Sequence, residues 1–134
     1  MKRLFLLCSM LLAIAAASVA QTTAHTPPLD QATPVSKSEY MARVHELDAA
    51  IAANNTPQAE MLFGAVNQLV NDEMKVVRYK MRDATSTTER DRCVALTKTQ
   101  RALFSKAMGY KQTGMTENRT QLIATLNEFG AIIE

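Results

Sequence analysis

The stretch TPQAEMLFGAVNQLVNDEMKVVRYKMRDATSTTERDRCVALTKTQRALFSKAMGYKQT, residues 56–113, decides the fold. Phe63, Val66, Val70, Met74, Val77 and Met81 recur at steps of three and four, and Leu62, Leu69 and Val76 widen that stripe. The spacing predicts a helix over about 57–83 with one apolar side. Thr56 is placed to cap it, and Pro57 suits the first helical position, where a missing N–H costs nothing. Cys93, Leu96, Gln100, Leu103, Ala107 and Tyr110 keep a heptad step, with Phe104 and Met108 beside them, so a second helix is expected over about 87–112. Ser86 and Glu89 form a capping box at its start, and Gly114 is a natural stop. The polar turn Asp83–Ala84–Thr85–Ser86 folds the two helices back on each other.

Shorter helices flank this hairpin. Met41, Val44, Leu47 and Ile51 mark one over about 38–53, closed by Asn54 and Asn55. Leu122, Leu126, Phe129 and Ile133 mark another over about 117–133, with Thr116 as its expected cap and Ile123 and Ile132 flanking the stripe. No strand alternation, repeat or Gly-rich loop interrupts this pattern. Four antiparallel helices with short links predict an all-α, up-down-up-down bundle with two long central helices and two shorter outer ones.

The segment before the bundle has another character. Lys2 and Arg3 precede the apolar run Leu4–Ala17, and Ser18-Val19-Ala20 supplies small residues before Gln21. This is the pattern of a secretory signal peptide cut after Ala20, which implies a periplasmic or secreted protein. An uncleaved membrane anchor is the alternative, because Leu4–Ala20 is near the lower length limit of a span. Residues 21–36 hold Pro27, Pro28 and Pro34 among Thr, Gln and Ala, and read as a flexible tether to a domain over 37–134.

Cleavage changes the charge argument. The 134-residue chain has 15 basic and 13 acidic side chains; without Lys2 and Arg3 the two signs balance at 13 each. Balance, together with export, argues against nucleic acid as a partner. Cys8 leaves with the signal, so Cys93 has no intramolecular partner and is either a buried thiol or an intermolecular one.

Helix lengths then single out a surface. The hairpin helices span roughly 40 Å and the outer helices roughly 25 Å at 1.5 Å per residue. Both outer helices join at the Thr56/Gly114 end, so the segment Met74–Val94 should protrude beyond them. That tip carries Lys75, Arg78, Lys80, Arg82, Arg90 and Arg92 against Asp83, Glu89 and Asp91, a net of +3, while residues 37–73 carry a net of −4. Tyr79 and Met81 add apolar surface. A basic, partly apolar projection suits an anionic envelope component or an acidic protein partner. A solvated helix end with long stems shielding apolar groups is the plain alternative, and two tips could also pack as a homodimer over Val77, Met81 and Cys93. Gly64 and Gly109 fall at one level of the hairpin, which suggests either a close helix approach or simple tolerance.

Catalytic and cofactor signals are missing from the sequence. His45 and Asp48 share a helix face, but two ligands are too few for zinc, and no paired Glu-x-x-His motif is present. No nucleophile elbow, metalloprotease helix or Ser/His/Asp constellation occurs. The expected protein is non-enzymatic, with no catalytic residue, metal or cofactor. The competing expectation is a small carrier holding haem, copper or an apolar ligand between helices, with Met41, His45 or Met108 as candidate ligands.

Overall fold

A computed structural model describes residues 32–134. The expected signal peptide, and the part of the expected tether over 21–31, lie outside the described residues. Four helices follow in order: α1 (Lys37–Ala52), α2 (Thr56–Asp83), α3 (Thr87–Thr113) and α4 (Arg119–Ala131). Each packs against two neighbours, in the cycle α1–α2–α3–α4–α1. Cross-links fix the antiparallel register. The Lys37 Nζ donates to the Ala131 carbonyl at 3.1 Å, while Arg119 Nε meets Asp48 Oδ1 at 2.6 Å, so α1 and α4 run in opposite directions. The Lys111 Nζ lies 2.9 Å from Glu60 Oε2, which aligns the open ends of α2 and α3. The bundle is therefore up-down-up-down, as the periodicity predicts.

Local chemistry sets the helix ends. The side chains of Ser36, Asn55 and Ser86 accept the backbone N–H groups of Glu39, Gln58 and Glu89. Asn55, rather than Thr56, is thus the cap of α2, and Thr56 is its first helical residue. The start of α4 also differs from expectation. Thr116 does not cap it; the chain turns through Asn118, whose Nδ2 donates backward to Tyr110 O, Thr113 Oγ1 and Gly114 O. That amide serves the last carbonyls of α3 and leaves α4 without a side-chain cap. Two links need left-handed backbone, at Asn54 (φ 53°) and Gly114 (φ 126°), the residue types that adopt it most readily.

The core is built unequally. Tyr40, Val44, Leu47 and Ile51 from α1, Leu62, Phe63, Val66 and Val70 from α2, and Leu122, Leu126 and Phe129 from α4 are buried, as is Ile133 beyond it. Each such side chain stabilises by roughly 1.5–3 kcal/mol. Helix α3 buries only Cys93, Gln100 and Ala107. It is held more by partly buried Leu103, Phe104, Met108 and Tyr110 and by surface ion pairs. In α1 the buried stripe starts at Tyr40, not at Met41, which is 37% exposed. Tyr40 can lie inside because its hydroxyl donates to Leu126 O at 2.9 Å and its ring packs 5.6 Å from that of Phe129.

A close helix approach occurs where the sequence did not suggest one. A methyl group at Gly64 or Gly109 would meet nothing within 4 Å, so neither glycine marks a tight crossing. At Gly130 the same methyl would lie 2.5 Å from Met41 Sδ and 2.9 Å from Tyr40 Cε1, so α1 and α4 meet there. Val35, just before α1, is also buried, which extends the packed domain into the end of the expected tether.

Candidate functional site

The hairpin tip is less bare than helix lengths alone suggest. Past Ala131 the chain closes in a tight turn, with Ile132 N–H donating to Phe129 O at 3.2 Å and Ile133 N–H to Gly130 O at 3.3 Å. Ile133 is buried and Glu134 reaches both hairpin helices: its Oε2 lies 3.1 Å from Lys80 Nζ, and its Oε1 takes Arg92 Nη2. Val77 and Cys93 are consequently buried within the single chain. On this side the C-terminal residues reach as far as Lys80 and Arg92, while Lys75 and Arg78 remain exposed.

This divides the predicted basic residues into two faces. On one, Lys80, Arg92 and Cys93 join Val77, Glu89, Leu96 and Glu134 around a narrow recess of about 60 Å³. The charges there are already matched, and the Cys93 thiol is 7% exposed. On the other, Arg78, Tyr79, Met81, Arg82 and Arg90 line an open groove of about 490 Å³. Helical spacing places Arg78 and Arg82 one turn apart, and Lys75 a turn before Arg78. Arg90 enters from α3, where its Nη2 donates to Ala84 O at 3.4 Å and ties the helix to the turn.

Within the groove the guanidinium groups differ. Arg82 lies 4.8 Å over the Tyr79 ring and grips Asp83 through Nε at 2.8 Å and Nη2 at 3.2 Å. That hydrogen bond holds the Asp83 carboxyl below its ordinary value. Lys75 and Arg78 have no ion pair among the described residues. The groove thus brings a thioether and an aromatic ring together with three guanidinium groups.

Two buried polar side chains face the hairpin interior. Glu73, on α2, is only 3% exposed, and Gln100, on α3, is fully buried. Burial raises the Glu73 carboxyl above its ordinary value; Lys80 opposes that rise, Glu134 adds to it and the Gln100 amide opposes it. Gln100 lies close enough to favour the carboxylate, yet neither its Nε2 nor its Oε1 closes a hydrogen bond of good geometry. The signal in the sequence was positional: Glu73 sits three residues after Val70 and four before Val77, inside the apolar stripe.

The candidate ligands of a carrier are dispersed. His45 is exposed, and Asp48 pairs with Arg119 instead of the histidine. Met41 lies against Gly130 near the end of α4, whereas Met108 lies near the end of α3. Among the described residues no group of three His, Cys, Asp or Glu side chains converges. A second cavity, about 240 Å³, sits at the opposite end of the bundle among Asn55, Glu60, Lys111, Met115 and Glu117. Its lysine is engaged by Glu60 and lies 5.9 Å from the Phe63 ring centroid. No described helix is long and apolar enough to cross a membrane. Comparison with protein-family models, curated proteins and solved structures gives no match.

Proposed function

We propose that this chain is an exported, non-enzymatic binding module that engages an anionic partner through the outer face of its hairpin tip. The observation that carries this reading is the convergence of Arg78, Arg82 and Arg90, from two helices, around the apolar surface of Tyr79 and Met81. Guanidinium groups match carboxylate and phosphate geometry through paired donors, and their positions on two connected helices hold them at fixed separations. The charge distribution supports the same end of the molecule. The net of +3 over 74–94 stands against −2 for the other described residues, −4 over 37–73 and +2 over 95–134, a modest field that favours an anion at the tip. Lys80 and Arg92 serve the fold in this reading, because Glu134 pairs with both, and Arg82, held by Asp83, contributes less than Arg78 and Arg90.

The test is titration of the protein with soluble polyglutamate at low and moderate salt, followed by fluorescence anisotropy. Wild-type protein is expected to bind in a salt-dependent way. Arg78→Gln/Arg82→Gln/Arg90→Gln should lose binding with little change in melting temperature, since exposed ion pairs contribute about 0–1 kcal/mol each. Equal binding by the variant would sink the reading.

A further inference from the structure

We infer that Glu73 and Gln100 form a proton-operated switch between α2 and α3, coupled through Lys80 to the Glu134 contact that closes the recess over Cys93. A mismatch of donors and acceptors carries this inference. Gln100 is fully buried and Glu73 is 3% exposed, yet neither Nε2 nor Oε1 of Gln100 has a hydrogen-bond partner among the described residues. An ionised carboxylate only accepts. It can take an N–H of Gln100, but it leaves the amide oxygen facing a second acceptor. A protonated carboxyl both donates and accepts, so it can pair with the amide through two parallel hydrogen bonds and satisfy both atoms. The proton comes from solvent and rests on the Glu73 carboxyl.

The surroundings set the balance between the two forms. Burial weighs most heavily and favours the neutral carboxyl; Lys80 opposes it, Glu134 reinforces it and the Gln100 amide opposes it. From the other packed elements, α1 turns the Tyr40 phenol inward onto Leu126 O, and its Lys37 is held on Ala131 O. Helix α4 buries no charged side chain. Glu89 and Arg92 of α3 line the recess, where Arg92 meets Glu134.

Lys80 is the link. It lies two turns beyond Glu73 on the same face of α2, and long helical side chains lean toward the N-terminus, here toward Glu73. Its Nζ is 3.1 Å from Glu134 Oε2. Neutral Glu73 leaves that pair intact. Ionised Glu73 competes for the ammonium, weakens the Glu134 contact and loosens the cover of Cys93.

An NMR titration of the isotopically labelled full chain from pH 4 to pH 8 tests the pair without any variant. The Glu73 carboxyl carbon should titrate above its ordinary 4.5, and the Gln100 side-chain amide should shift with the same midpoint. Alkylation of Cys93 tests the link, with the rate at each pH divided by that in urea to remove the thiol's own titration. The ratio should rise several-fold through the Glu73 transition in the wild type. It should stay level in Glu73→Gln, which keeps a neutral amide at that position. A Gln100 amide that does not respond to the Glu73 transition overturns the inference, and so do equal alkylation profiles in the two proteins.

Discussion

The Tyr40 hydroxyl donates to the Leu126 carbonyl oxygen across 2.9 Å, in a buried contact that joins α1 to α4. Tyr40→Phe keeps the ring and loses this bond, so unfolding by urea should show a loss of about 1 kcal/mol. The pH dependence gives a second readout. Burial raises the folded phenol well above the ordinary value of 10.0. The native state therefore holds that proton more tightly than the unfolded chain. This stabilisation is complete below about pH 10 and is lost as pH rises above it. Tyr40→Phe should flatten the alkaline limb of the stability profile.

Glycine substitutions should separate by position. At Gly130 a methyl group would meet Met41 Sδ at 2.5 Å and the Tyr40 ring at 2.9 Å, and Tyr40 is fixed by its hydrogen bond. Gly130→Ala should cost about 1–3 kcal/mol. Gly64→Ala and Gly109→Ala face open space and should each stabilise by up to about 1 kcal/mol through helix propensity. Thermal melts of the three variants check the contrast.

Glu73 should give stability an unusual acid-side slope. Its carboxyl is raised above the ordinary 4.5 chiefly by burial. A raised folded value means that protonation favours the native state. The contribution is fully present below the unfolded value and is lost as pH climbs through the folded one. Glu73→Gln, a neutral isostere, should remove this component while the midpoint at neutral pH stays equal or rises. Urea midpoints measured from pH 4 to pH 8 test it, and an unchanged profile in the variant would contradict it.

Cys93 should react slowly in the folded chain. Its thiol is buried in the recess that Glu134 closes by pairing with Lys80 and Arg92. Alkylation in buffer should lag alkylation in urea by a factor on the order of a hundred, as expected for a group reached only through local opening. Glu134→Gln should speed labelling several-fold while changing global stability by less than about 1 kcal/mol. Intact-mass measurement over time reads both effects.

Helix identity and order were legible in the sequence because the signal is strong and redundant. Over α2, Phe63, Val66, Val70 and Val77 fall on one face and are all buried, and Ser86 caps α3 as its spacing with Glu89 implies. What stayed hidden depends on tertiary partners. Tyr40 and Met41 both fit the helical spacing, and the Leu126 carbonyl and the Phe129 ring across from α1 decide which turns inward. Asn118 could cap α4 or serve the end of α3, and three acceptors from α3 and its link to α4 win. The basic tip was legible as a charge cluster. Its division into a matched face and an open groove was not, because it depends on Glu134, more than forty residues away from Arg92. The buried Glu73–Gln100 layer breaks the apolar pattern from within, and a sequence shows such a break without showing what lies across from it.

The most direct test of the tip as the binding surface is a two-dimensional amide NMR titration of the isotopically labelled chain with soluble polyglutamate. The predicted result is a contiguous set of salt-sensitive shifts over Lys75–Arg82 and Glu89–Arg92, with Ile51, Lys111 and Met115 at the far end unmoved. Shifts centred on that far cavity, or no shifts at low salt, would contradict the account.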